Sequence, residues 1–134
     1  MDQRLEQIRT MCQELGKKYP KYFKTEDVPK LMSHLQIPEG ETVFLCHDDT
    51  LFRSGKDGFV ITEKGFYTDL MMEHITYFTP FEKLAGTEQI YETEYVIYAD
   101  ETPLMYSSVG GAEAAEDLIQ LARAVKGLYY EGRD

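Results

Sequence analysis

Cys46-His47-Asp48-Asp49 sets a thiol, an imidazole and two carboxylates in consecutive positions. These are the ingredients of a metal site or of an imidazole-activated thiol nucleophile. Thr42–Asp48 reads as a strand, however, with Val43, Leu45 and His47 on one face and Phe44 and Cys46 on the other. Cys46 and His47 then point apart, so they neither converge on one ion nor share a proton. His47 and Asp49 share a face, but two ligands do not make a site, and His34 and His74 fall in an unrelated helix and strand. The expectation is a buried, structural Cys46, with no metal and no cofactor.

Ser54-Gly55-Lys56 invites a phosphate-loop reading. That motif requires a glycine five residues before Gly55 and a hydroxyl residue after Lys56; Thr50 and Asp57 stand there instead. The carboxylates Glu92, Glu94, Asp100, Glu101, Glu113, Glu116 and Asp117 show no spacing that nominates an acid–base couple. The expectation is that the chain is not an enzyme.

Lys17–Lys24 is the locally basic stretch, interleaved with Tyr19, Tyr22 and Phe23. Aromatics that stack and lysines that pair with phosphate suit single-stranded nucleic acid or anionic lipid. The favoured reading is a solvated linker whose aromatics dock on the body. Tyr91, Tyr95, Tyr98, Tyr106, Tyr129 and Tyr130 gather in the second half. A tyrosine-rich face is a protein interface in the making, since Tyr gives large contact area at low entropy cost; strand propensity alone is the open alternative.

These residues need elements to position them. Residues 2–16 carry Leu5, Ile8, Cys12 and Leu15 at helical spacing, with Asp2 to cap and Gly16 to stop. Thr25 caps a second helix with Pro29 in its first turn, and Ile37-Pro38-Glu39-Gly40 ends it. Asp57–Asp69 is the clearest element: Phe59–Thr62 and Phe66–Thr68 joined by Glu63-Lys64-Gly65 make a β-hairpin. Strands follow at His74–Phe78, Glu88–Glu92, Tyr95–Ala99 and Pro103–Ser107, with one helical turn over Pro80–Gly86. The last helix spans residues 111–129, acidic at its start (Glu113, Glu116, Asp117) and basic at its end (Arg123, Lys126), in accord with the helix dipole. Its apolar face includes Leu118, Ala122 and Val125.

The 134 residues suit one domain, and 43% hydrophobic content supplies its core. A net charge of −10 repels phosphate backbones and anionic headgroups, so nucleic acid is not expected and membrane contact is at most peripheral. The N-terminus lacks the pattern of a signal peptide, and no apolar run reaches membrane-spanning length. Two thiols outside any disulfide framework fit a reducing cytoplasm.

Antiparallel strands followed by one amphipathic helix form an α+β pattern: a small, partly open barrel of about seven strands capped by a C-terminal helix. The order resembles the bacterial pleckstrin-homology-like (PH-like) domains through Glu41–Leu45, Gly58–Thr62, Gly65–Tyr67 and Ile75–Phe78, over roughly residues 40–130. Residues 1–40 are then a helical extension and 41–134 the barrel with its helix. The resemblance implies an interaction module. In phosphoinositide-binding relatives of that fold the basic site lies around the first inter-strand loop, where Arg53 and Lys56 stand, with Lys64 at the next turn. Asp48, Asp49, Asp57 and Glu63 offset these cations. The leading expectation is a non-catalytic module that binds a protein partner or itself, with Leu5, Ile8, Tyr19, Tyr22, Tyr95 and Tyr98 in the contact. The alternatives are an anionic-ligand or membrane-surface binder, and a small ligand-binding barrel or enzyme.

Overall fold

Helix α1 (Gln3–Lys18) starts where the Asp2 carboxylate accepts the Leu5 amide at 2.9 Å, as the sequence predicts. It runs through Gly16, the expected stop, and closes at Lys18. The residue that ends it is Pro20. Tyr19, which precedes that proline, is pushed out of the helical region to φ −126° and ψ 63°. The structure, a computed structural model, describes residues 2–50, 54–70, 73 and 75–130.

Thr25 does not cap a helix. It opens a 3-10 turn (Thr25–Asp27) that leads into α2 (Val28–His34), with Pro29 in the first turn. Helix α2 ends with Gln36 in the left-handed region (φ 56°) and the Ile37 amide on the Met32 carbonyl at 3.0 Å, a Schellman-type closure.

Seven strands follow: β1 (Val43–Asp48), β2 (Gly58–Thr62), β3 (Gly65–Thr68), β4 (Tyr77–Pro80), β5 (Ile90–Glu92), β6 (Val96–Ala99) and β7 (Thr102–Tyr106). They form two antiparallel sheets, β1-β2-β3-β4 and β5-β6-β7. No ladder joins the sheets among the described residues, so the arrangement is α+β but not a single closed barrel. The break falls after Pro80, which has no amide to extend a ladder, and the chain turns through a 3-10 segment (Phe81–Gly86) before β5. β4 also starts later than the expected His74–Phe78. The pairing Thr68↔Tyr77 sets its register, and Ile75 and Thr76 belong to the connecting loop; His74 lies outside the described residues.

The β2–β3 hairpin forms as read. At Gly65, φ is +156° and any Cβ would run into the Thr79 carbonyl oxygen of β4, so only glycine fits. Period-two alternation divides the first sheet into rows. Leu45, Ile61 and Phe66 stand in one row and His47 and Phe59 in another, all buried. With Ile97, Leu104 and Tyr106 of the second sheet, Leu45, Phe59, Ile61 and Phe66 form the main core, and the His47 ring lies against Phe59. Helix α3 (Ala112–Tyr130) contributes Leu118, Ala122 and Val125, and α1 contributes Ile8, Cys12 and Leu15. The N-terminal helix is therefore built into the same core as the strands.

Cys46, Val60, Tyr67 and Phe78 pair across β1 to β4 as a third row, on the outer face. Leu31, Leu35 and Ile37 cover Cys46, Val60 and Tyr67 in a second buried cluster. Phe78 falls outside that cover.

Candidate functional site

The proposed anion residues do not meet. Lys56 precedes β2 and Lys64 follows it, so the five residues of that strand hold them roughly 16 Å apart along the chain; Arg53 lies outside the described residues. The loop between β1 and β2 is organised by an anion of its own. Asp48 accepts from the Thr50 amide (2.9 Å), the Thr50 hydroxyl (2.6 Å) and the Gly55 amide (2.8 Å). The backbone donor that a phosphate would seek at Gly55 is thus already held by a buried carboxylate.

His47 is buried, and both its ring nitrogens face oxygen atoms: Nδ1 the Tyr22 carbonyl at 2.8 Å and Nε2 the Asp49 carboxylate at 2.8 Å. The Ser108 hydroxyl donates to Asp49 at 3.1 Å. The hydroxyl reaches the carboxylate rather than the imidazole, so the trio lacks the hydroxyl–imidazole contact of a Ser-His-Asp triad. It ties the segment after α1, the end of β1 and the loop before α3 to one another. Cys46 points the other way, its thiol donating to the Lys24 carbonyl at 3.2 Å.

Most of the expected interface is used within the chain. Ile8 is buried, and Leu5, Tyr19, Tyr22 and Tyr98 are half-buried against the main core. The Tyr19 hydroxyl and the Lys18 ammonium share one Asp117 oxygen at 2.7 and 2.8 Å, and Lys18 also reaches Glu113 at 3.0 Å. These bonds clamp α1 to α3 and hold the Asp117 carboxyl below its ordinary range. They also engage a lysine of the basic stretch with acids of its own chain. Tyr22 stacks on Tyr19 at 5.8 Å, and its ring fills the space over Gly110. Tyr98 stacks on Tyr91 at 5.6 Å, while Tyr95 is exposed.

The features that sequence reading missed lie around β4. Ile75 and Phe78 are large apolar side chains, 55% and 42% exposed, and the Phe78 ring stacks on Tyr67 at 4.5 Å. Beside them is a polar cavity of about 400 Å³ lined by His34, Gln36, Asp69, Glu73, Ile75 and Thr76. Asp69 is buried. One of its oxygens accepts from the Tyr106 hydroxyl at 2.6 Å and the Gly58 amide at 3.2 Å, and the other meets His34 Nε2 at 2.6 Å. Burial, and then the bond to Asp69, push the Tyr106 phenol well above its ordinary value, so it remains a donor. His34 and Asp69 are 35 residues apart and Tyr106 belongs to the other sheet, so no local pattern links them. The one signal available was Asp69 itself, an acid that directly follows the last strand of the hairpin.

Comparison with protein-family models, with curated proteins and with solved structures finds no match. Among the described residues no group of three His, Cys, Asp or Glu side chains could hold a metal ion, and no helix is long and apolar enough to cross a membrane.

Proposed function

We propose that the chain is a non-catalytic, PH-like interaction module that takes up an extended segment of a protein partner along β4. Sheets of four and three antiparallel strands followed by a C-terminal helix support the PH-like reading, for that is the order the resemblance implies. The observation that carries the binding site is the unfinished outer row: α2 covers Cys46, Val60 and Tyr67, and Phe78 continues the row into solvent.

Two other sheet edges are guarded. β1 runs beside α1 and the 3-10 turn at Thr25–Asp27, and at β5 the Arg123 guanidinium donates to the Ile90 carbonyl at 3.2 Å. β4 pairs with β3 on one side and ends the ladder on the other, where no strand pairs with it among the described residues although β7 and the 3-10 segment Phe81–Gly86 pack near it. A strand edge that carries exposed apolar side chains is a template for another strand, and main-chain pairing plus alternate side-chain contacts is a recurrent mode of peptide recognition. Finishing the burial of Phe78 and Ile75 supplies about 1–1.5 kcal/mol each, since each is half-exposed already. Those contributions and a few ladder hydrogen bonds suit micromolar rather than tighter binding. A net charge of −10 opposes a second copy of the chain as the occupant. Two buried thiols outside any disulfide agree with a cytoplasmic setting.

The test uses a displayed library of random twelve-residue peptides. Selected peptides should bind in fluorescence polarisation, should slow amide exchange at Tyr77–Thr79, and should lose at least tenfold in affinity to Phe78→Lys. Selected peptides whose binding ignores Phe78→Lys would sink the reading. A dimer abolished by Phe78→Lys would replace the partner segment with a second copy.

A further inference from the structure

The cavity beside β4 adds a chemical preference to that reading. Its wall holds two carboxylates, Asp69 and Glu73, an imidazole and an amide, and among the described residues no lysine or arginine lines it. Asp69 is 2% exposed, and a carboxylate so far from water is sensitive to any added cation. Tyr106 and Gly58 fix its first oxygen, whereas the second meets His34, which is itself partly exposed, with no other partner among the described residues. Ile75 stands on the cavity wall two residues before β4 begins, so a strand that lies along β4 and continues past Tyr77 reaches the opening. Alternate side chains of such a strand point to the same face, which lets one enter the cavity while a neighbour two positions away covers Phe78.

We propose that this cavity receives a basic side chain, lysine or arginine, of the extended partner segment, an inference that rests on the β4 reading above. Among the described residues no group of three His, Cys, Asp or Glu could hold a metal ion, and an organic cation that donates several hydrogen bonds suits these acceptors. The net charge of −10 draws such a segment in and disfavours an acidic one.

The cavity can be probed without any peptide. n-Propylguanidinium, titrated into the intact chain and followed by amide NMR, should shift Asp69, Glu73 and Thr76 and saturate at millimolar concentration. Neutral propylurea should not, and Glu73→Gln should weaken the cation at least several-fold. Glu73 is half-buried at the rim, so that variant tests the cavity even if Asp69→Asn fails to fold. In a β4-binding peptide, replacing the central Arg by citrulline should weaken binding roughly tenfold, the scale of one charge-assisted hydrogen bond. Equal shifts from propylurea, or none from the guanidinium, overturn the cation preference whatever the peptides do. Guanidinium binding without any β4-binding peptide would instead overturn the partner strand.

Discussion

Tyr106→Phe isolates one bond of the buried network behind the cavity. The hydroxyl donates to Asp69 at 2.6 Å from a side chain 1% exposed, and Phe fills the same space without it. A hydrogen bond to a charged group contributes about 1.5–3 kcal/mol. Leaving a buried charge wholly unpaired would cost about 3–5 kcal/mol. The lower range applies, because the Gly58 amide and His34 still hold Asp69 in the variant. We expect a loss of about 2 kcal/mol. An unfolding entropy of about 2.1 cal/mol/K per residue then converts this loss to a fall in Tm of about 7 °C for the 134-residue chain. Far-ultraviolet circular dichroism melts at neutral pH measure it, with the exposed Tyr95→Phe as a control that should leave Tm unchanged. A fall of less than about 2 °C in Tyr106→Phe would show that the phenol does not support the carboxylate, and would remove the argument that Asp69 is held ready for a cation.

Leu118→Ala empties part of the helix–sheet contact at a fully buried side chain and should cost about 2–5 kcal/mol by denaturant titration. Gly65→Val sets a Cβ against the Thr79 carbonyl at positive φ and should destabilise by more than about 1 kcal/mol; an unchanged urea midpoint would mean that the hairpin is built otherwise. Tyr67 and Tyr106 have phenols raised by burial and then by their bonds to Glu41 and Asp69. Their contribution to stability is therefore fully present below the unfolded phenol value of about 10 and is lost as pH rises above it. In an alkaline ultraviolet titration both should ionise only as the chain unfolds, and smooth ionisation of all ten tyrosines without unfolding would contradict this. Burial pushes the Cys12 thiol up to about 12. Iodoacetamide at pH 8 should spare Cys12 in the native chain and label it in urea, and prompt native labelling would place it at the surface.

Local chemistry made the elements legible. Asp2 caps α1, the alternation around Glu63-Lys64-Gly65 yields a hairpin, and the charge gradient of α3 marks a helix, because each depends on neighbours within a few residues. The separation of Lys56 from Lys64 was also implicit, since the two flank one predicted strand. Capping at Thr25 and the stop at Gly16 were misread because a proline nearby, Pro20, and a tighter turn governed the backbone instead.

Which faces are covered was decided by packing between distant segments. The stripe Leu5–Ile8–Cys12–Leu15 announces a helix with something to bury, yet whether it meets its own core or another chain depends on α3 and β1. Phe78 reads like any inward strand residue. It becomes a surface feature only because α2, more than 40 residues earlier, ends at His34 and covers three of the four positions in its row. The Asp69 network draws on α2, the end of β3 and β7 at once. Sequence patterns record the period of a single element, whereas burial of a carboxylate or exposure of an aromatic ring is set by which elements cross it, and that is a property of the tertiary structure alone.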